Sequence, residues 1–184
     1  ESEGIMTLVG NVENEFQPLF PTISFQLAGA EFSSDSTLYG LFINGREIII
    51  SSFINITPNQ IDIPVPLTRG RNEIEVIAYD DANYVLTEEL TLWAGKEDLN
   101  VLIRDANNLP VNDAFVTVSL SDAPNVQKSD TSFGGNSFFR GLPDRTLIVS
   151  AVTSDNRTAT AATVGGGTIV LELIDLNSPS NIDN

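Results

Sequence analysis

Apolar and polar residues alternate with a period of two along most of the chain, a pattern that predicts half-buried β-strands. In the first half the clearest alternating runs begin at Ile23, Leu38, Ile61, Ile74 and Tyr84. In the second half they begin at Leu99, Ala114, Leu147, Thr158 and Ile169. No stretch has the longer period of an amphipathic helix. The pattern therefore predicts an all-β fold of short strands.

Turn residues separate these runs. Asn44-Gly45 is a strong hairpin signal, because both positions of the turn must accept positive φ. Asp80 to Asn83 and Asp105 to Val111 predict two further turns, since Asp, Asn and Pro favour turns through their own side chains or ring. The prolines between residues 58 and 66 keep their segments away from the centre of a sheet.

A short, small and charged segment, Ala94 to Asp98, divides the chain. We place a domain boundary between residues 95 and 96. The prediction is two tandem antiparallel β-sandwiches, the first over residues 1–95 with a leading strand within Ile5 to Val12, the second over residues 96–174. Residues 175–184 have no periodicity and are predicted to be a tail or linker.

The first half resembles a bacterial immunoglobulin-like module. The resemblance rests on Leu41-Phe42-Ile43-Asn44-Gly45 and on the later series Leu67, Gly70, Asn72, Ile74, Val76, Ala78 and Asp80. It implies an immunoglobulin-like sandwich. It also implies a module that spaces, presents or binds, and that rarely catalyses.

The second half resembles the carboxypeptidase regulatory-like, transthyretin-like sandwiches, which are similar to the Cna-B-type repeats of bacterial surface proteins. The matching residues are Val101, Asp105, Leu109-Pro110-Val111, Ala114, Val116, Val118, Asp130-Thr131, Gly134-Gly135, Phe138, Phe139, Leu142-Pro143, Val149 and Ala151. Cna-B-type domains often carry a Lys–Asn crosslink. We expect none here, because the lysines, Lys96 and Lys128, are predicted in the linker and in an exposed loop.

Charge limits the partners. The net charge is −16, and residues 1–95 carry 14 acidic and three basic side chains against 11 and six in residues 96–184. Such a field repels nucleic acid and anionic membrane surfaces. No apolar run approaches the roughly 18 residues of a membrane helix. We expect a protein or glycan partner, no nucleic acid and no membrane insertion.

The chain has no histidine and no cysteine. This excludes Ser-His-Asp and Cys-His catalysis, histidine or thiolate zinc sites and disulfides. No phosphate-binding glycine motif is present. A pair of carboxylates at the right separation can hydrolyse a glycoside. The densest acids here are Glu88-Glu89 and Asp80-Asp81, but each pair is adjacent in sequence, and neighbours on a strand face opposite ways. We therefore expect neither an enzyme nor a cofactor, with calcium the one candidate metal ion.

Two sets of residues are candidate sites. Asp80, Asp81 and Asn83 supply hard oxygens from one turn, as calcium requires, and ordinary turn chemistry is the alternative. The second set consists of Trp93, Tyr39, Tyr79 and Tyr84. Aromatic rings stack on the apolar faces of sugars, so these residues are candidates for a sugar-binding platform. The alternative is that they are buried in the core.

These features together predict a non-catalytic structural, spacing or adhesion module of a bacterial exported or cell-surface protein. Its expected location is extracellular, periplasmic or on the cell surface, as part of a longer chain. The alternative is a carbohydrate-binding accessory module of a larger secreted enzyme.

Overall fold

The computed structural model describes residues 4–175 of the 184-residue chain. The chain divides into two compact units, Glu1–Lys96 and Glu97–Asn184. The predicted boundary lies one residue before this division. Each unit contains two β-sheets, and the described residues include no helix longer than a single 3₁₀ turn. The all-β fold class is confirmed.

The first unit consists of a four-stranded and a five-stranded sheet. The strands are β1 (Ile5–Leu8), β2 (Phe16–Gln17), β3 (Thr22–Ala28), β4 (Gly40–Ile43), β5 (Arg46–Ile48), β6 (Asn55–Ile56), β7 (Gln60–Pro64), β8 (Gly70–Tyr79) and β9 (Val85–Ala94). The sheet orders are β1-β3-β7-β6 and β2-β9-β8-β4-β5. Short 3₁₀ turns occur at Val12–Asn14 and Ser36–Leu38.

Alternate side chains of both sheets form the core of the first unit. Phe25 and Ile61 from the four-stranded sheet and Leu41 and Val76 from the five-stranded sheet are completely buried in one cluster. Burying such side chains stabilises each by about 1.5–3 kcal/mol relative to exposure. The alternation in the sequence thus corresponds to a sandwich with one dry face per sheet.

The second unit consists of a three-stranded and a five-stranded sheet. The strands are β10 (Glu97–Arg104), β11 (Phe115–Leu120), β12 (Gln127–Thr131), β13 (Asn136–Leu142), β14 (Thr146–Val152), β15 (Arg157–Val164), β16 (Gly167–Glu172) and β17 (Ile174–Asp175). The sheet orders are β13-β10-β16 and β12-β11-β14-β15-β17. The core-facing residues Val101, Ile103, Val116 and Val149 have no exposed surface.

Two strand pairs are parallel, whereas the prediction was of antiparallel sheets. β2 lies parallel to β9, and β10 lies parallel to β16. The sequence pattern did not distinguish these pairs, because side chains alternate with a period of two in either direction of pairing. In each unit an early strand thus lies beside a late one.

Two local predictions differ from the structure. Lys128 was expected in an exposed loop, but Gln127–Thr131 forms β12, whose residues are all at least partly exposed and therefore show no alternation. The tail was expected from residue 175, but Ile174 and Asp175 pair with Thr158 and Arg157. Residues 176–184 lie outside the described part of the chain.

Asn72 joins the start of β8 to the preceding loop. It is completely buried. Its Nδ2 donates to the carbonyl oxygens of Thr68 at 2.8 Å and Gly70 at 3.1 Å, and its Oδ1 accepts from the Thr68 backbone N–H at 2.9 Å. One buried side chain thus satisfies three partly buried backbone groups of this loop.

Replacing Asn72 with Ala is expected to destabilise the first unit by about 2–4 kcal/mol, because buried backbone groups lose their partners. Trp93 is the one tryptophan of the chain and lies in β9, so its fluorescence during urea denaturation reports this unit. The control is the exposed Asn59→Ala, expected to change stability by less than about 0.5 kcal/mol. Equal effects of the two variants would contradict this role of Asn72.

Candidate functional site

Asp80 organises the turn between β8 and β9. It is completely buried. Its Oδ1 accepts hydrogen bonds from the backbone N–H groups of Ala82 at 3.0 Å and Tyr84 at 2.8 Å. Asn83 adopts the left-handed conformation, with φ of 65°, and its backbone N–H donates to the Asp80 carbonyl at 3.1 Å. The Asp80 side chain therefore holds the turn closed, as an Asx-type turn requires.

The predicted calcium ligands lie close together in this turn but differ in availability. Asp81 is exposed, whereas the Oδ2 atom of Asp80 is buried with no hydrogen-bond partner. Within residues 4–175, no three Asp, Glu, His or Cys side chains are grouped to hold a metal ion. Calcium usually takes six to eight oxygen ligands. Calcium binding at Asp80, Asp81 and Asn83 thus stays a prediction.

Tyr39, one of the four predicted sugar-stacking residues, lies in the core of the first unit. Its exposed fraction is 7%. Its hydroxyl donates to the Ser33 carbonyl oxygen at 2.7 Å, and its ring lies 6.4 Å from that of Phe32. Burial raises the pKa of the Tyr39 hydroxyl to about 12. This arrangement fixes the loop after β3 and leaves no ring face for a ligand.

The other three aromatic residues do not form a platform with Tyr39. Trp93 is 6% exposed and pairs in register with the buried Phe16 of β2. Tyr79 is half-buried and Tyr84 is 42% exposed, on either side of the Asp80 turn. Aromatic side chains bury large apolar areas, and Trp93 and Tyr39 contribute such buried area to the first unit. The structure does not present the four rings as one exposed surface.

An acidic groove lies on the outer face of the five-stranded sheet of the first unit. The cavity measures about 440 Å³, and its lining includes the carboxylates of Glu13, Glu73, Glu75 and Glu89 beside Phe42. Glu75 and Glu89 are directly opposite each other on β8 and β9. Like charges in this position destabilise a strand pair. The groove therefore favours cations over anions in its vicinity.

The pairing of Glu75 with Glu89 was not predicted from the sequence. The adjacent Glu88 and Glu89 were expected to face opposite ways, and they do: Glu88 is opposite the core residue Val76, and Glu89 is opposite Glu75. The signal was present in the hairpin. Once the Asp80 turn sets Tyr79 against Val85, every further pair along β8 and β9 follows by counting.

Comparison with known proteins gives no family. No protein-family model matches the chain, and no curated protein matches it. None of the helices among residues 4–175 has the length and apolar character needed to cross a membrane.

Several solved structures are similar to the chain at low sequence identity. The T6 backbone pilin of serotype M6 Streptococcus pyogenes has a TM-score of 0.38 and 10% identity, over 89% of this chain and 51% of that chain. BcpA, the major pilin subunit of Bacillus cereus, has a TM-score of 0.37 and 8% identity, over 94% and 71%. The pilus backbone protein RrgB from Streptococcus pneumoniae has a TM-score of 0.35 and 8% identity, over 97% and 57%. At these values the similarity does not identify the function of this chain.

Replacing Asp80 with Ala is expected to destabilise the first unit by about 2–4 kcal/mol, because the N–H groups of Ala82 and Tyr84 lose their acceptor. Asp80→Asn keeps one oxygen acceptor and removes a buried charge, so it is expected to cost less than half as much. Denaturation followed by Trp93 fluorescence measures both. If the two variants are equally destabilised, the acceptor role of Oδ1 is not what matters.

The same variants test the calcium prediction. A calcium site containing Asp80 predicts that millimolar CaCl₂ raises the melting temperature of the unmodified chain, by linkage, and leaves that of Asp80→Asn unchanged. A melting temperature unaffected by CaCl₂ in both proteins would contradict the site. The turn function of Asp80 does not depend on that result.

Proposed function

We propose that this chain is a non-catalytic structural and spacing module of a bacterial exported or cell-surface protein, and that its units resist tension applied along the chain. The observation that carries the proposal is the parallel pairing of an early strand with a late strand in each unit. An immunoglobulin-like first unit and a carboxypeptidase regulatory-like second unit belong to the same proposal.

The parallel pair is longest in the second unit. β10 is the first strand of that unit, and β16 is the last strand of its sheet. Their register runs without interruption from Leu99 opposite Gly167 to Arg104 opposite Glu172. After β16, the backbone N–H of Leu173 also donates to the Arg104 carbonyl oxygen at 2.8 Å. The two strands are therefore joined along their whole common length.

This geometry determines how force reaches the hydrogen bonds. Tension pulls the start of β10 and the end of β16 in opposite directions along the strand axis. The inter-strand bonds of the pair then share the load and must break together. In a hairpin pulled at its open end, by contrast, the bonds break one after another. A parallel pair of early and late strands thus resists extension more than its number of bonds alone implies.

The first unit has a shorter version of the same arrangement. β2 pairs in parallel with β9, the last strand of that unit, through Phe16 opposite Trp93 and Gln17 opposite Ala94. The paired side chains of Phe16 and Trp93 are both buried. Tension on the first unit therefore also meets a parallel pair, although a shorter one.

The use of polar side chains is consistent with a structural role. Asp80 and Asp105 each accept two backbone N–H hydrogen bonds in turns, and Asn72 closes the loop before β8. A surface location, a longer parent chain and a protein or glycan partner remain part of the proposal. The alternative of a carbohydrate-binding module is not favoured, because Trp93 and Tyr39 are buried.

Single-molecule force measurements on the full chain test the proposal. The chain has no cysteine, so introduced cysteine pairs attach handles at defined places. Asp98→Cys with Glu172→Cys pulls β10 and β16 in shear, and Asp98→Cys with Thr168→Cys separates the same strands from one end. All three positions are exposed. We expect a rupture force several-fold higher for the first pair.

The comparison contains its own control, because both attachments load the same two strands of the same unit. Circular dichroism and the melting temperature of each double variant establish that the fold is unchanged. Equal rupture forces in the two geometries would contradict a load-bearing role for this strand pair.

A further inference from the structure

Among the described residues of the second unit, 97–175, one sheet face carries no charged strand residue. It is the outer face of the four neighbouring strands β12, β11, β14 and β15, extended by Ile174 of β17. The strand registers place fifteen side chains on this neutral face: Gln127, Ser129, Thr131, Phe115, Thr117, Ser119, Thr146, Ile148, Ser150, Val152, Thr158, Thr160, Ala162, Val164 and Ile174.

The absence of charge on this face contrasts with the rest of the protein. Protein surfaces are commonly about 25–35% charged, and this chain has a net charge of −16. The outer face of the three-stranded sheet in the same unit includes Asp98, Arg104, Arg140 and Glu172. The outer face of β8 and β9 in the first unit carries the acidic groove. The neutral face is therefore a local exception.

The neutral face is also open and contains large apolar side chains. Phe115 is 51% exposed, Val152 40%, Val164 59% and Ile174 64%. A hydroxyl row crosses the middle of the face through Ser129, Thr117, Ser150 and Thr160, and the Thr117 and Ser129 hydroxyl oxygens lie 3.3 Å apart. Phe115 and Val152 are directly opposite each other on β11 and β14, and exposed apolar groups of this kind are typical of interaction sites.

We propose that two copies of the chain associate through this neutral face. Like charges brought together cost several kcal/mol, so two molecules of this charge repel each other wherever acidic surfaces meet. The neutral face can be buried by a second copy without that repulsion. A second copy is also a partner that presents an equally uncharged surface.

Two-fold symmetry makes the neutral face complementary to itself. A two-fold axis parallel to the strands brings each row of side chains against the same row of the other copy. The hydroxyl row then meets a hydroxyl row, and the row containing Phe115, Val152 and Ile174 meets its own counterpart. Such isologous contacts are the commonest form of homodimer.

Charged residues at the edge of the sheet favour association through the face over association through the edge. The edge strand β12 places Lys128 and Asp130 on its core-facing side, opposite Val118 and Val116. Lys128 Nζ donates to the Arg140 carbonyl oxygen at 2.7 Å, so it sits in a strand rather than in the predicted loop. Inward-pointing charges on edge strands oppose the addition of another strand.

The size of the neutral face predicts a weak dimer. Four strands about 4.8 Å apart and seven residues long cover roughly 450 Å² per copy, or roughly 900 Å² in total. Stable complexes usually bury about 1,200–2,000 Å². We therefore expect a dimer in the micromolar to millimolar range that strengthens as salt screens the net charge.

Sedimentation velocity on the full chain, up to about 1 mM protein and at low and high NaCl, tests this expectation. Thr160→Glu and Thr160→Lys place opposite charges in the hydroxyl row of the face, at its exposed position on β15. Both are expected to weaken association at least about tenfold, because each buries an unpaired charge from both copies in the interface. A general charge effect would instead make the Lys variant associate more strongly.

Thr168→Glu and Thr168→Lys are the matched controls, since Thr168 is an exposed threonine on the opposite sheet of the same unit. They are expected to leave the dissociation constant unchanged. Val164→Lys provides a second position on the face if Thr160 variants lower the melting temperature. A chain that stays monomeric at about 1 mM, or that binds a neutral polysaccharide through Thr160 without dimerising, would overturn the proposal. Equal weakening by Thr160→Glu and Thr168→Glu would also overturn it.

Discussion

Burial of alternate side chains between two sheets is the constraint on which the rest of the structure depends. Strand residues with even spacing, such as Ile74, Val76 and Ala78, enter the core, so the residues between them must face outward. A slip of one residue would exchange the two faces and expose the core. Packing of the core therefore fixes the register, and the register determines which outward-facing residues lie opposite each other. The Glu75–Glu89 pair and the neutral face are both consequences of this constraint.

The local part of the fold could be predicted from the sequence, because its causes are local. Asn44 and Gly45 have φ values of 51° and 79°, as their hairpin requires, and the alternating runs became strands within a few residues of the expected bounds. The pairing of β10 with β16 could not be predicted in the same way. It joins residues nearly 70 positions apart, and the period of two is the same for parallel and antiparallel neighbours. β12 was missed because an exposed edge strand has no dry face to reveal it.

The same distinction between local and long-range causes applies to the candidate sites. Asp80 was predicted as a calcium ligand. In the structure its carboxylate accepts hydrogen bonds from two backbone N–H groups of its own turn, and Asp commonly makes such bonds in turns. The burial of Trp93 was not predictable from its strand, since it lies on the side of β9 opposite to Leu92 and its register partner Phe16 comes from the distant strand β2. The neutral face appears only when β11 is placed beside β14, which is a long-range pairing.

The distribution of charge at the strand edges bears on both proposals. The parallel strand pairs resist tension only if neighbouring chains do not exchange strands, since an exchanged strand would separate such a pair. Lys128 and Asp130 place charge on the core-facing side of the edge strand β12, where an added strand would bury it. The neutral face carries no such risk, because contact through it leaves every backbone hydrogen bond of the sheet in place. Protection of the edges together with an uncharged face is thus the combination that allows copies to associate while each keeps its own strand order.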